Sequence, residues 1–525
     1  MAPMTTPTAT RKPRLMDRAL NSIEFLGNKL PEPFTLFLSL FLFTAIASTA
    51  MAAMNITFVV PGKGEETAIR GFFSAEGLSW ITTKIGENYL GFPPLTTVLP
   101  ILLAVGVAEK TGMLAALVRF LFGSAPRFFL PYAVGIVGVT ASVMADAAFV
   151  IVPPLAAMVF KAAGRHPVAG LLGGFAAVGA GYSTALVPTS LDALFAGITN
   201  AVMQTLPDIH SNEVTPVSNY YFNIVSALLL GLIAGLIIDK VLEPRLTRQD
   251  IPQDFVDDPT SETTELSAEL SQQEKAALRW SVLGGVGLSI LIVVAVMIPS
   301  SPWRNESGGY LPKSPLLSSI VFIVVSYFLV LGLIYGRVIG NITGMRDVVD
   351  MMGQALKDMT NFLVLAFILG QFVALFAWTN IGTYTAVRGA AFLESIHLTG
   401  FGAILAFIIL ASFLNLLIIS GSAMWTLMAS VFVPMFALIG FDPAFIQAAF
   451  RVGDSATQVI TPLNPYMIVI LGLLRRYETE AGLGTLMSRL IPFVVPFWVA
   501  WAALLGIWYF LDLPLGPAAA IFLKP

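Results

Sequence analysis

Residues 181–192 read GYSTALVPTSLD and residues 453–464 read GDSATQVITPLN, at an offset of 272 residues. Glycine, serine, valine, threonine and leucine coincide in the two stretches, and Asp192 aligns with Asn464. Both stretches lie in apolar segments, where glycine and proline disfavour a continuous helix. Two such interruptions in the same order indicate an internal repeat whose halves each contain a broken helix. The alternative is chance alignment of small-residue membrane helices.

The composition around these stretches is that of a polytopic membrane protein. Of the 525 residues, 56% are hydrophobic and 12% are charged, which is about half the usual charged fraction. A soluble protein of this size needs a more charged surface, and a net charge of −3 gives no basic excess for binding nucleic acid. The lack of Cys excludes disulfides and thiolate sites, and three His make a His-rich metal site a poor hypothesis.

Apolar windows between charged residues predict about nine transmembrane helices, because a span needs roughly 20 apolar residues. The windows lie near 34–54, 87–109, 167–191, 214–238, 280–303, 314–336, 360–387, 455–474 and 490–511. Two further apolar regions, 128–162 and 396–441, are interrupted at their midpoints by small and polar residues, and we interpret them as re-entrant helical hairpins. One or two full spans in each region is the alternative. The predicted fold class is an all-α polytopic membrane protein with two structural repeats.

Charges outside the windows predict the organisation of the chain. Residues 1–30 are rich in Lys and Arg, so the positive-inside rule places this tail in the cytoplasm. Residues 31–241 and 279–525 form the two transmembrane halves, and the polar, acidic segment 242–278 reads as a cytoplasmic linker because basic residues flank it. Two amphipathic stretches are too short to span and are expected along the interface, at 112–123 and 382–393.

A broken helix in a membrane frees backbone groups that lipid cannot satisfy, so it is tolerated only where it lines a cavity. Half-helix N-termini then attract anions and half-helix C-termini offer carbonyls to cations. Oxygen-bearing side chains beside the breaks suit a small hard cation. We therefore predict the coupling site, for Na⁺ or a proton, from Ser183, Thr189, Asp192, Asp454, Ser455 and Thr461, with Na⁺ near Asp454. Kinks that merely allow close helix packing are the alternative.

Charged residues in these segments are functional hypotheses, because each costs about 2.5–3.5 kcal/mol on insertion scales. Arg451 and Asp454 are three residues apart and share a helical face. They form either a structural ion pair, or Arg451 offers its guanidinium to a substrate carboxylate. Trp425, at the second hairpin tip, belongs either to an interfacial aromatic belt or to a site for an aromatic substrate. Asn415 is an amide that either bonds across helices or contacts substrate.

Several longer strings extend this interpretation: EFLGNKLP at 24–31, GRHP at 164–167, ALFAWTNIG at 374–382, QAAFRVGDS at 447–455 and ITP at 460–462. With them the chain resembles the AbgT family, the p-aminobenzoyl-glutamate transporters, over nearly its full length. The resemblance implies a homodimer with nine spans and two hairpins per subunit, and a water-filled basin open to the cytoplasm. It places the family's transport-site residues on Asp192, Asn415, Ser422, Trp425, Pro443, Arg451, Asp454 and Pro462. The chain departs from the family at the first hairpin tip, where residues 141–143 are Ala-Ser-Val and relatives often carry Ser-Asn-Thr.

We therefore expect an ion-coupled secondary transporter in the bacterial inner membrane, and not an enzyme. Its expected partners are membrane lipid, a second subunit and a small aromatic carboxylate or sulfonamide, with p-aminobenzoyl-glutamate and sulfonamide antimetabolites as substrates. No covalent cofactor is expected, and Na⁺ or H⁺ is the coupling ion. The alternatives are a transporter of another small carboxylate, a channel, or an intramembrane amidohydrolase that uses Asp192 and Asp454 as an acid/base dyad.

Overall fold

Long apolar segments satisfy their backbone groups internally only as helices, and the regular structure of the described residues is accordingly almost all helical. The computed structural model describes residues 31–60, 66–206, 209, 211–254, 269–311, 313–461 and 463–523. Within these residues the only sheet has two strands, β1 (Thr57–Val59) and β2 (Glu66–Ala68), which pair antiparallel. The predicted tail 1–30 lies outside the described residues.

The described residues of the first half form nine helices before the π-helical turn that ends this half. Proline occupies the first turn of several of them, where its missing N–H is not needed. In order they are α1 (Pro33–Ala53), α2 (Ala75–Leu90), α3 (Pro93–Lys110), α4 (Met113–Gly123), α5 (Leu130–Thr140), α6 (Ala147–Ala162), α7 (Pro167–Ala180), α8 (Ser190–Met203) and α9 (Tyr220–Ile237). A 3₁₀ turn at Ala141–Met144 separates α5 from α6, and a π-helical turn at Ile238–Leu242 leads from α9 to α10 (Glu243–Arg248).

The second half repeats this order after the predicted linker. Its helices are α11 (Gln272–Met297), α12 (Pro315–Ser318), α13 (Ile320–Ile339), α14 (Met345–Asp358), α15 (Thr360–Trp378), α16 (Ile381–Ser395), α17 (Phe401–Asn415), α18 (Gly421–Leu438), α19 (Pro443–Ala456), α20 (Tyr466–Arg475) and α21 (Leu483–Phe510). A 3₁₀ turn at Gln458–Ile460 follows α19. The described ends of the linker are helical, since α10 continues to Arg248 and α11 begins at Gln272; residues 255–268 lie outside the described part.

The two halves match helix by helix around the predicted breaks. Helices α7 and α19 each have 14 residues, begin with proline and are offset by 276 residues. Each follows a helix–turn–helix segment, α5–α6 in the first half and α17–α18 in the second, so both predicted hairpins are interrupted at the predicted points. The short helices α4 and α16 also correspond, and each follows a residue with a left-handed backbone, Gly112 (φ 86°) and Asn380 (φ 63°).

Eight helical stretches in the described part are long and apolar enough to cross a membrane. Seven lie in the predicted windows, and the eighth is α18 of the second hairpin. The windows 167–191 and 455–474 do not contain continuous spans, because each includes a break that the repeat predicts, after Ala180 and after Ala456. Eight candidate spans together with shorter apolar helices and these breaks confirm the predicted fold class.

The centre of the molecule is formed by the two half-helices α7 and α19, in which every residue is buried. Small residues make this possible: a Cβ at Gly138 would lie only 2.6 Å from the Cβ of Ala177 in α7. Helix α11, in contrast, buries only Ala277, Leu278 and Ser281. The apolar surface of α11 fits contact with lipid or with another protein chain.

Candidate functional site

The broken helices of the two halves touch at residues that the repeat makes equivalent. Ser183 lies in the gap between α7 and α8, and its backbone N–H donates to Oγ of Ser455, 3.2 Å away. The Ser183 hydroxyl donates to Oδ2 of Asp454 at 2.9 Å. The contact joins the gap in the first half to the last turn of α19 in the second. The predicted symmetry therefore brings both breaks to one place.

The first break is where the sequence predicts it, since residues 181–189 are non-helical. The second begins later than predicted, because Ser455 still belongs to α19 and regular helix resumes only at Tyr466. Asn415 accounts for the ending of α19. Its Nδ2 donates to the carbonyl of Asp454, and it also donates to Oγ1 of Thr457 at 2.8 Å. If the helix continued, the Asp454 carbonyl would instead accept a backbone N–H of the next turn.

Arg451 pairs with Asp192 of the other half, not with Asp454 on its own helix. Its Nη1 lies 2.7 Å from Oδ1 of Asp192, and both side chains are at most 3% exposed. The same Nη1 donates to the carbonyl of Ser183 at 2.6 Å, a group freed by the first break. The guanidinium carbon lies 5.3 Å from the centre of the Phe195 ring. The Arg451–Asp454 ion pair considered from spacing is therefore wrong.

Asp192 holds its position through the start of α8. Oδ2 accepts from the backbone N–H and the hydroxyl of Thr189, both at 2.8 Å, which completes a capping box. Oδ1 accepts from Nδ2 of Asn223 at 3.2 Å, in addition to Arg451. The protein's own carboxylate thus occupies a half-helix N-terminus, the position where transporters of this type bind anions.

Trp425 is fully buried in an aromatic cluster, so its assignment to an interfacial belt is wrong. Its indole N–H donates to the carbonyl of Phe195 and to Oγ1 of Thr199, each at 3.2 Å. The rings of Trp425 and Phe450 have centroids 4.6 Å apart, and Phe195 lies edge-on to Phe450 at 5.4 Å. The cluster borders Arg451, which packs on the Phe195 ring.

Each hairpin tip contacts the broken helix of the opposite half. In the second hairpin, Ser420 caps α18 and lies 3.1 Å from the Ser422 hydroxyl, while a Cβ at Gly421 would lie 2.7 Å from the Tyr182 hydroxyl. At the first tip, Asp146 interacts with the Tyr466 hydroxyl. Phe149, one turn after Asp146, stacks on the Tyr466 ring at 5.0 Å. This crossed packing places each hairpin tip against the broken helix of the other half.

The remaining predicted residues lie at the edges of this arrangement. Thr461 donates its hydroxyl to the carbonyls of Asn415 and Thr457, at 3.3 and 3.2 Å. Pro443 begins α19, two turns before Arg451. Asp442 precedes Pro443 in a turn outside the spans. Burial raises the pKa of the Asp442 carboxyl to about 7, although the carboxyl accepts a hydrogen bond from the Ala444 N–H, which by itself lowers the pKa. Pro462 lies outside the described residues.

Three buried oxygen atoms without partners belong to Asp454, to Gln458 four residues later, and to Asn415, whose Nδ2 binds the Asp454 carbonyl. Among the described side chains, Asp454 Oδ1, Asn415 Oδ1 and Gln458 Oε1 are buried and accept no hydrogen bond. Buried acceptors of this kind need a donor or a cation. The described residues contain no group of three His, Asp or Glu that could hold a metal ion. Any cation here would therefore be held by one carboxylate together with neutral oxygens, which suits Na⁺ chemistry more than that of a transition metal.

Several residues of this site were not predicted from the sequence. Phe195, Thr199 and Phe450 form the aromatic cluster with Trp425, and Asn219 and Asn223 contact Arg451 and Asp192. Asn219 and Asn223 lie in the apolar window 214–238, where amides four residues apart were a signal that could have been used.

Comparisons with known proteins agree with this architecture. Residues 18–523 match the model of the "AbgT putative transporter family". The chain is 35% identical over 498 residues to the p-aminobenzoyl-glutamate transport protein of Escherichia coli (strain K12), covering 94% of this chain and 95% of that protein.

Two solved structures share the fold. The YdaH transporter of Alcanivorax borkumensis, described as having an unusual topology, superposes with a TM-score of 0.86 at 34% identity, over 93% of this chain and all of that one. MtrF of Neisseria gonorrhoeae, described as illuminating a class of antimetabolite efflux pumps, gives 0.86 at 36% identity, over 96% of this chain and all of that one. The match runs through both halves and both breaks, and the chain belongs to the AbgT transporter family.

Proposed function

We propose that this protein is an ion-coupled secondary transporter that carries p-aminobenzoyl-glutamate, sulfonamide antimetabolites or both. The relatives named for these substrates align with nearly the whole chain. The observation that carries the proposal is the buried Arg451–Asp192 pair, which joins the two halves beside the aromatic cluster. p-Aminobenzoyl-glutamate combines an aromatic ring with two carboxylates, so one molecule matches both features.

The proposed mechanism is an exchange of carboxylates on Arg451. In the described conformation Asp192 forms an ion pair with the Arg451 guanidinium, and this pair holds the two halves together. Separating a buried ion pair by removing one partner costs about 3–5 kcal/mol, so Arg451 leaves Asp192 readily only when another acceptor, a carboxylate or a sulfonyl oxygen, replaces it. A substrate carboxylate can do so while its ring packs near Trp425. Substrate binding would then release the contact between the halves and permit the change of access.

The coupling ion in this proposal acts at Asp454. The unpartnered oxygens of Asp454, Asn415 and Gln458 support a site for Na⁺, and a proton on Asp454 would serve the same purpose. One elementary charge moving through 100 mV supplies about 2.3 kcal/mol. Because about 1.4 kcal/mol corresponds to tenfold, this supports roughly a fiftyfold substrate gradient.

We further propose a homodimer in the bacterial inner membrane, with the N-terminal tail and the linker 242–278 in the cytoplasm. The basic residues in and beside these segments support the orientation, and the exposed apolar face of α11 is available for lipid or a second subunit. The sequence contains no Cys, so single-cysteine variants in each segment can be labelled without background. Labelling from the periplasmic side of either segment would contradict the orientation.

Transport is preferred over hydrolysis because the two aspartates are bound differently. Asp192 is tied to Arg451 and Thr189, whereas Asp454 accepts from Ser183. An acid/base dyad needs groups placed to act on one substrate bond, and this arrangement suits two binding sites better. Incubating purified protein with p-aminobenzoyl-glutamate and assaying for p-aminobenzoate separates the two functions, because a transporter releases none.

The decisive test is counterflow in proteoliposomes with labelled p-aminobenzoyl-glutamate, under separately imposed Na⁺ and pH gradients. The proposal expects saturable exchange and uptake or efflux driven by one of the two gradients. Flux without saturation or exchange would indicate a channel. Exchange that only other small carboxylates support would contradict the proposed substrate.

A further inference from the structure

Two buried asparagines on one face of α9 each hold one partner of the Arg451–Asp192 pair. Asn219, the residue before α9, accepts from Nε of Arg451 through Oδ1 at 3.2 Å. Asn223, four residues later, donates through Nδ2 to Oδ1 of Asp192 at 3.2 Å. Both side chains are at most 3% exposed. Residues four apart share a helical face, so α9 presents both amides to the ion pair together.

We propose that Asn219 and Asn223 are positioning residues of the substrate site, which orient Arg451 and Asp192 so that a substrate carboxylate can replace Asp192. The inference rests on the proposed function and adds a third helix, α9, to the site. Neither asparagine needs to touch the substrate for this role.

Asn219 fixes which edge of the guanidinium is available. Its Oδ1 accepts the hydrogen bond from Nε of Arg451. Its Nδ2 donates to the Ala444 carbonyl of α19 at 2.8 Å, and this second bond holds the amide in that orientation. A carboxylate can bind an arginine along its Nε edge or its Nη edge. With Nε occupied, only the Nη edge, which faces Asp192 and the start of α8, remains for the incoming carboxylate.

The neutrality of Asn219 also matters. An amide accepts from Arg451 without adding negative charge, so the guanidinium keeps an attraction for one carboxylate at a time. An aspartate at this position has nearly the same shape and would give Arg451 a permanent second anion. The substrate would then compete against two internal carboxylates.

Asn223 holds Asp192 independently of Arg451. Its Nδ2 donates to Oδ1 of Asp192 in this conformation, and this hydrogen bond does not involve the guanidinium. The contact can therefore persist when a substrate carboxylate replaces Asp192 on Arg451, so that Asp192 stays close enough to return. An amide suits this role because it donates to a carboxylate without adding a charge.

A purely structural role for these amides is the competing explanation, and α9 supplies a matched control. Ser226 lies one turn after Asn223, is fully buried, and accepts a hydrogen bond from the indole N–H of Trp501 at 2.8 Å. Ser226→Ala removes a buried hydrogen bond from the same helix without touching Arg451 or Asp192.

The test measures KM and maximal rate in proteoliposomes for p-aminobenzoyl-glutamate and for sulfanilamide, which is uncharged at neutral pH. Asn219→Asp should raise the KM for p-aminobenzoyl-glutamate at least about tenfold, since charge-assisted contacts are at stake, and change that for sulfanilamide less than threefold. Ser226→Ala should leave both values near those of the wild type. Asn223→Asp, which adds a carboxylate beside Asp192, should show the same selectivity if Asn219→Asp does not fold.

Three results would overturn the inference: equal losses for both substrates, no change for either, or the same selective loss in Ser226→Ala. If the wild type itself fails to exchange p-aminobenzoyl-glutamate, the proposed function fails and the inference falls with it. If the wild type exchanges it and both asparagine variants behave like the wild type, the inference alone is wrong.

Discussion

Replacing Arg451 and Asp192 singly and together separates their contribution to stability from their role in transport. Arg451→Met leaves the Asp192 carboxylate buried without its cation, and breaking a buried pair in this way costs about 3–5 kcal/mol. Asp192 keeps three other hydrogen bonds, two from Thr189 and one from Asn223. We therefore expect the lower end of that range, about 3 kcal/mol.

The double variant Asp192→Asn with Arg451→Met removes both charges. Thr189 remains the N-cap of α8, and Asp192→Asn keeps a side-chain oxygen that can accept from the Thr189 N–H, so the start of α8 should survive. Replacing both members of a buried pair is often close to neutral, and the double variant should regain at least about 2 kcal/mol of the loss. Transport of p-aminobenzoyl-glutamate should fall about a hundredfold or more in both variants, because the substrate loses its guanidinium.

The assay combines SDS-induced unfolding in mixed micelles, for the free energy of unfolding, with counterflow in proteoliposomes. Arg489→Met is the control, since Arg489 forms another largely buried pair with Glu478 at 2.7 Å on a different helix. It should lose some stability and keep its KM. An Arg451→Met variant as stable as the wild type, or a double variant that transports at the wild-type rate, would disprove the role given to this pair.

Three further predictions concern the surroundings of the pair. Trp425→Phe should raise the KM for aromatic substrates about fivefold in counterflow. The Phe195 carbonyl and Thr199 lose their indole donor, a change of about 1 kcal/mol. An unchanged KM would exclude Trp425 from the substrate site. Gly421→Ala should abolish exchange, since the added Cβ would lie 2.7 Å from the Tyr182 hydroxyl. Adding Tyr182→Phe to this variant should restore part of the exchange, because it removes that oxygen. A fully active Gly421→Ala would show that the hairpin tip tolerates a methyl group. Because burial raises the pKa of Asp442 from 3.8 to about 7, the folded chain holds a proton that the unfolded chain releases, and the contribution of Asp442 to stability should decline from about pH 4 to pH 7. Asp442→Asn keeps the cap and should lose less thermal stability between pH 5 and pH 8 than the wild type; identical declines would contradict the role of this carboxyl.

The helices and the breaks could be predicted from the sequence because they depend on local chemistry. Apolar length predicts the spans, and the glycine, proline and hydroxyl residues of 181–192 predict the first interruption. The second interruption starts later than the repeat suggests, at the point where a distant side chain, Asn415, takes the Asp454 carbonyl and so ends α19. Such a contact cannot be inferred from the residues around the break alone.

The partner of Arg451 could not be predicted, because it depends on how the two halves cross. Spacing along α19 offered Asp454 as one candidate partner, whereas the folded chain places Asp192 from the other half against the guanidinium. Trp425 was ambiguous for a related reason. A tryptophan at a hairpin tip resembles one at the end of a span, and only the packing of Phe195 and Phe450 shows that it is buried.

In the proposed mechanism, substrate and Asp192 compete for Arg451. A structure determined with bound p-aminobenzoyl-glutamate shows which of them holds the guanidinium. We expect a glutamate carboxylate within hydrogen-bonding distance of the Arg451 Nη atoms, Asp192 displaced, and the benzoyl ring beside Trp425. A bound substrate whose carboxylates contact other residues, with the 2.7 Å Arg451–Asp192 pair still intact, would contradict it.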